Sequence, residues 1–266
     1  MIDIRQSLAY HSNLIFHHAD GEVADCGDYL RIRTPSNPRF WWGNFLLFGQ
    51  PPAAGDLPRW DELFQAEIAA QQPLSQHRAF GWLGARGDTA ALEAAGYEVI
   101  EALQLVCDQP VLPDNAHAGV DIRPLADEAE WLAATELQIL ARDAVHSEAS
   151  FRPFKEAQML RYRLLSEAGG GFGYGAWLDG ALVANLGVFA NDELARYQNV
   201  ATHPDYRRRG IAARIVYEAG CHMLATFGPR RLVIVADKIG PQTLYRSVGF
   251  QPAGFAYGAD KAPPAQ

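Results

Sequence analysis

The stretch from Val200 to Arg214 combines residue types that could bind an anion. It reads Val-Ala-Thr-His-Pro-Asp-Tyr-Arg-Arg-Arg-Gly-Ile-Ala-Ala-Arg, so a strand ends at a proline and a basic turn follows. An apolar-striped helix is predicted next. The free N–H groups of its first turn and the positive end of its dipole would form an anion site. The small residues Gly210 and Ala212 would let a phosphate approach the backbone. The alternative is a surface turn with three solvated arginines.

This stretch resembles the pyrophosphate loop of the GNAT superfamily of acetyltransferases, whose pattern is Gln/Arg-x-x-Gly-x-Gly/Ala. The pattern reads here as Arg207-x-x-Gly210-x-Ala212, and the family's upstream Val-x-x-x-Pro reads as Val200 to Pro204. The resemblance implies acetyl-CoA as the cosubstrate. The residues that it implies in acetyl-CoA binding are Val200, Ala201, Thr202, Arg207, Arg208, Arg209, Gly210, Ile211, Ala212 and Ala213.

A second motif has the downstream spacing that the same family uses. The segment Leu-Tyr-x-x-x-Gly-Phe at 244–250 is similar to the second GNAT signature, and the resemblance covers about residues 119–258. In the family, a tyrosine at the position of Tyr245 lies near the CoA sulfur and can protonate the departing thiolate. The resemblance therefore implies that Tyr245 is the general acid; a tyrosine that only packs in the core is the alternative. Lys238 departs from the family, which often has asparagine there.

The general base is not assigned by the sequence. The family commonly activates the amine through a carboxylate on the strand that holds the CoA, or through ordered water. Here that strand, Leu194 to Ala201, contains no Asp or Glu. Glu193 stands at its beginning, and Asp143, His146 and Glu148 lie in a predicted loop between two helices. Residues of these types in loops are more often ordinary surface residues.

Three other patterns resemble binding motifs but do not predict a binding site. The segment Gly171 to Ala176 matches GxGxxA, but it leads into a strand instead of a helix, so a turn is expected rather than a dinucleotide site. The arginine run 207–209 has no aromatic-interleaved basic face, which argues against nucleic acid. The pairs His17-His18 and Cys221-His222 lack partners at ligand spacing, so no metal site is predicted.

The elements that must position these residues form a mixed sheet. Two prolines and several turn formers predict a linker at 109–119. A strand, two helices and three strands should follow, with Asp179-Gly180 as a hairpin turn. A helix from about Gly210 to Phe227, a strand, a short helix and the last strands complete the order βααβββαβαββ. This order indicates an α/β fold of GNAT type, with a mixed, mostly antiparallel sheet and helices on both faces.

The N-terminal half echoes the C-terminal half. A short helix, a glycine, an aromatic residue and a strand at 92–103 can be aligned with 245–256. The upstream order of strand, loop, helix, strand and short helix is also shared. The agreement favours a duplication, with chance as the alternative.

The N-terminal copy has lost the features that imply acetyl-CoA binding. Its strand-to-helix loop, Gly49 to Leu57, contains two prolines that lack an N–H, and Leu92 stands at the position of Tyr245. We therefore predict a degenerate GNAT-like domain at 1–115 and a GNAT acetyltransferase domain at 116–266. The first would be structural or would wall the acceptor site, and one CoA would bind per chain.

Composition restricts the class of protein. The 266 residues are 48% hydrophobic and 20% charged, with a net charge of −8, which excludes bulk disorder and disfavours nucleic acid and anionic membranes as partners. No apolar run reaches the roughly 18 residues of a membrane span. Three scattered cysteines are typical of a cytoplasmic protein without disulfides.

The function expected is transfer of the acetyl group of acetyl-CoA to a primary amine of a small molecule or protein, by direct attack in a ternary complex. The alternative is an acetyl-CoA-binding regulatory or interaction protein without turnover. A homodimer is left open.

Overall fold

The computed structural model describes residues 2–143 and 147–263. The strands are β1 (Glu22–Asp25), β2 (Tyr29–Arg33), β3 (Phe45–Phe48), β4 (Arg78–Trp82), β5 (Glu98–Cys107), β6 (Asp121–Pro124), β7 (Gly171–Leu178), β8 (Ala181–Ala190), β9 (Leu194–Thr202), β10 (Arg231–Ala236) and β11 (Gln251–Lys261). The helices are α1 (Leu8–Asp20), α2 (Asp56–Phe64), α3 (Ala90–Ala94), α4 (Glu128–Leu140), α5 (Glu148–Glu167), α6 (Ile211–Phe227) and α7 (Ile239–Ser247). None of the described helices is both long and apolar enough to cross a membrane.

The chain forms two compact units whose limits differ from the predicted boundary after residue 115. The first unit contains residues up to Gln104 together with those from Gly254 onward, and the second is Leu105–Ala253. The last strand explains why the residues from Gly254 onward belong to the first unit, because β11 pairs antiparallel with β4, from Tyr257 opposite Trp82 to Lys261 opposite Arg78. Hydrogen bonds between distant segments are not visible in the local patterns from which the boundary is predicted.

The first unit carries a sheet in which β3 and β4 are parallel. Leu46–Phe48 are in register with Phe80–Trp82, and the Leu83 N–H donates to the Phe48 carbonyl at 3.0 Å, so the two strands stay joined to their carboxyl ends. Trp60 of α2 stacks on Phe48 with ring centroids 4.0 Å apart. Both rings belong to a buried aromatic core in this unit.

The second unit carries the sheet order β10-β9-β8-β7-β6. The pairs β6–β7, β7–β8 and β8–β9 are antiparallel, and β9–β10 is parallel, which confirms the predicted mixed, mostly antiparallel sheet. Phe189 of β8 lies 5.1 Å from the ring of Tyr162 on α5 and is in register with Arg196. The next residue, Tyr197, donates to the Val216 carbonyl of α6 at 2.8 Å. Because successive side chains on a strand point to opposite faces, helices cover both faces.

Candidate active site

A cleft opens where β9 and β10 separate. The parallel register joins Leu194–Arg196 to Arg231–Val233. Both strands continue past these pairs, β9 to Thr202 and β10 to Ala236. In α/β sheets, ligands bind outside the carboxyl ends of strands at such a point. A cavity of about 980 Å³ lies at the carboxyl end of β9, and all the residues that line it belong to the second unit.

Most of the predicted acetyl-CoA residues line this cavity. They are Val200, Ala201, Thr202, Arg207, Arg208, Gly210, Ile211, Ala212 and Ala213. The end of β9 and the start of α6 therefore meet at this cavity, as the pyrophosphate-loop motif predicts. Their contacts with acetyl-CoA stay predictions.

The start of α6 has the backbone geometry of an anion site. Arg208 and Gly210 are both left-handed, with φ of 60° and 76°, and the 17-residue helix begins at Ile211. The first N–H groups of a helix have no partner within the helix, and the positive end of the helix dipole adds to their field. The Arg207 Nε donates to the Thr202 carbonyl at 3.2 Å, which ties the turn to the end of β9.

Gly210 is required for a reason that the sequence analysis did not identify. A Cβ at this position would collide with the Asn115 carbonyl and lie 2.9 Å from the His117 nitrogen. The His117 N–H donates to the Gly210 carbonyl at 3.3 Å. The missing side chain thus makes room for the segment before β6, and the left-handed φ demands glycine in addition.

Arg209 differs from its two neighbours. It does not occur among the described residues that line the cavity. Its Nη2 donates to the Asp205 carbonyl at 2.9 Å, and its guanidinium lies 4.9 Å from the centroid of the Tyr206 ring. These contacts stabilise the turn, and the role of Arg209 in acetyl-CoA binding stays a prediction.

A β-bulge interrupts β9 at the cavity. Asn185 is in register with Ala201 and Gly187 with Gln198, so Asn199 and Val200 together stand opposite one residue of β8. Asn199 is left-handed, with φ of 53°. A bulge leaves its extra residue outside the ladder and redirects the strand. This places Val200, the residue after Asn199, at the cavity.

Tyr245 lies on α7 and lines the same cavity, although it is only 7% exposed. Burial, and then the charge of Asp237, raise the pKa of its hydroxyl above the ordinary tyrosine value, so it is a neutral donor at physiological pH. Among the described residues, none shares a hydrogen bond with this hydroxyl. It can therefore donate to a ligand.

Comparison with known proteins identifies this region. Residues 170–252 match the acetyltransferase (GNAT) domain family. The chain contains a GNAT acetyltransferase domain. No curated protein matches the chain.

Solved structures similar to this chain extend beyond that domain. A functionally unknown conserved protein from Staphylococcus epidermidis has a TM-score of 0.70 at 16% identity and covers 91% of this chain and 94% of its own. A GCN5-related N-acetyltransferase from Kribbella flavida has a TM-score of 0.67 at 17% identity, covering 96% and 94%. A tandem GNAT protein from the clavulanic acid biosynthesis pathway has a TM-score of 0.53 at 13% identity, covering 92% and 80%. These likenesses show the fold.

The four candidates for the general base differ in their surroundings. Asp143 lines the cavity, but its Oδ2 lies 2.7 Å from the Nζ of Lys238, the residue that departs from the family pattern. Glu148 accepts from the Nη2 of Arg152 at 2.7 Å. Glu193 precedes β9 and lies about 20 Å along the strand from the cavity end, which is too far for proton transfer. His146 is outside the described residues.

Across residues 2–143 and 147–263, no group of three or more His, Cys, Asp or Glu side chains is arranged to hold a metal ion.

Proposed function

We propose that the protein is an N-acetyltransferase that transfers the acetyl group of acetyl-CoA to a primary amine of a small molecule or protein. One observation carries the proposal. The first residues of α6, Val200 after the bulge in β9, and Tyr245 all line a single cavity, which supports a phosphate site, a carbonyl site and an acid in one place.

The proposed chemistry is direct attack within a ternary complex. The neutral amine forms a C–N bond to the acetyl carbon while the C–S bond breaks. The Val200 N–H receives the carbonyl oxygen, on which charge develops. The Tyr245 hydroxyl donates its proton to the departing CoA sulfur, and the surplus proton of the amine restores the neutral phenol of Tyr245 through solvent. Arg207, Arg208 and the first N–H groups of α6 hold the pyrophosphate.

Thiol release tests this proposal. Purified protein is incubated with acetyl-CoA and a broad panel of amines, and free CoA thiol is measured with and without each amine. We expect amine-dependent release with at least one acceptor, and we expect Tyr245→Phe to slow it. Binding of acetyl-CoA without amine-dependent release across the panel would favour the regulatory alternative.

A further inference from the structure

Lys155 is a buried cation with no carboxylate partner among the described residues. It lies on α5 and is 5% exposed. Its Nζ donates to the Gln158 Oε1 at 2.7 Å and to the Asn199 Oδ1 at 3.2 Å. The rings of Phe151 and Phe154 lie 5.3 and 5.0 Å from it. Burial lowers the pKa of Lys155 to about 7, so the charge is costly at this place. Two amide oxygens and two ring faces compensate part of that cost.

The contacts of Lys155 converge on Asn199. The Asn199 Nδ2 donates to the same Gln158 Oε1 at 3.0 Å. The Asn199 carbonyl accepts from the Gln138 Nε2 at 2.6 Å, and that nitrogen also donates to the Asn185 Oδ1 at 2.9 Å. Residues from α4 and α5 therefore hold one residue of β9, and Asn185 of β8 holds Gln138. We call Lys155, Gln158, Gln138, Asn185 and Asn199 the bulge network.

Asn199 needs such support because its conformation is unfavourable. A non-glycine residue with positive φ persists only where its surroundings hold it. Side chains two residues apart on a regular strand share a face, yet Tyr197 bonds to α6 and Asn199 bonds to α5. The left-handed residue thus reverses the face of the sheet to which the side chains of β9 point. The next residue is Val200, which lines the cavity.

We propose that Lys155 is a positioning residue of the acetyl-transfer site: through Asn199, its ammonium fixes the bulge that presents the Val200 N–H to the acetyl carbonyl. The effect on the acetyl group rests on the proposed function, whereas the effect on the backbone does not. The two parts therefore have separate tests.

The backbone test uses the protein without ligand. Lys155→Met retains the length and apolar volume of the side chain but removes its charge and hydrogen bonds. NMR torsion restraints should show that Asn199 leaves the left-handed region, and the Val200 amide resonance should shift. Tyr162→Leu is the control, because it alters another buried side chain of α5, which packs on Phe189. It should leave the Asn199 torsion unchanged. An unchanged Asn199 torsion in a folded Lys155→Met variant would overturn the proposal.

The ligand test compares acetyl-CoA with CoA by calorimetry. One additional hydrogen bond to the acetyl carbonyl should make acetyl-CoA bind about 2–10-fold more tightly than CoA. Lys155→Met should lose this preference while its affinity for CoA stays within about twofold. A variant that keeps the preference contradicts the proposal. If the unaltered protein binds neither compound, the proposed function fails, and the NMR result alone decides on the backbone effect.

The kinetic test asks whether Lys155 acts through Asn199. Loss of a preorganised donor typically costs a large factor in kcat, and we expect Lys155→Met to lower kcat at least about tenfold with KM for acetyl-CoA within about twofold. Asn199→Gly adopts a left-handed φ without strain. In that background, Lys155→Met should lower kcat less than about threefold. Equal losses in both backgrounds would overturn the proposal. If Lys155→Met alone does not fold, the comparison is made with Lys155→Gln.

Discussion

Two glycines that precede helices allow the steric role of Gly210 to be measured. Gly55 precedes α2 with φ of 95° and ψ of −5°, and Gly210 precedes α6 with φ of 76° and ψ of 2°. A Cβ at Gly55 would meet nothing within 4 Å. Gly55→Ala should therefore cost only the left-handed torsion, about 1 kcal/mol. The torsional cost at Gly210 is similar, so any additional cost measures the local packing.

Gly210→Ala should cost about 3 kcal/mol or more. To the torsional cost it adds displacement of the Asn115 backbone, about 1–2 kcal/mol, and weakening of the hydrogen bond between the His117 N–H and the Gly210 carbonyl, about 1 kcal/mol. Free energies of unfolding from urea titrations of both variants provide the comparison. Equal losses for Gly210→Ala and Gly55→Ala would refute the reasoning, because they would mean that the segment before β6 yields without cost.

Four further predictions concern the ligand and the pH dependence of stability. Ala212→Val narrows the approach to the first N–H groups of α6, so affinity for CoA and acetyl-CoA should fall equally, at least about tenfold; Ala225→Val, at the exposed end of the same helix, is the control. Tyr245→Phe should lower kcat at least about tenfold with acetyl-CoA affinity within about twofold; an unchanged kcat with rate-limiting chemistry would make Tyr245 a packing residue. Calorimetric titration should saturate at one acetyl-CoA per chain, because β3 and β4 stay joined to their carboxyl ends, and saturation at two equivalents would contradict this. Burial raises the pKa of Asp260 to about 6, so the folded chain binds more protons than the unfolded chain between about pH 4 and 6, and stability falls as the pH rises through that window. Asp260→Asn keeps an acceptor for the Trp42 Nε1 and should stabilise the protein by about 1–3 kcal/mol at pH 7, a gain that should disappear near pH 4 in the same unfolding measurement.

Local signals predict the elements of the second unit well. Asp179 and Gly180 both adopt positive φ, 51° and 79°, as expected for a two-residue hairpin turn. β9 ends at Thr202, two residues before Pro204, and α6 ends before Gly228, where the backbone again has positive φ. In each case one residue type determines the backbone conformation by itself.

Features that depend on tertiary contacts are not predicted. The bulge at Asn199 exists only in the register between β8 and β9 and in the hydrogen bonds of the bulge network, none of which leaves a local pattern. Helix α1 is also missed, because polar residues interrupt its apolar stripe. Within the fold, the Ser12 Oγ donates to the Leu8 carbonyl at 2.6 Å, and Asn13 lies 3.2 Å from the ring of His17. These contacts satisfy groups that, in the sequence, resemble those of a loop.

A crystal structure with acetyl-CoA tests the central claim most directly. We expect the pyrophosphate at the N-terminus of α6, the thioester carbonyl within about 3.2 Å of the Val200 nitrogen, and the Tyr245 hydroxyl beside the sulfur. We also expect the ligand to occupy the second unit alone. Acetyl-CoA bound in the first unit, or bound at α6 with its carbonyl turned away from Val200, would contradict the account.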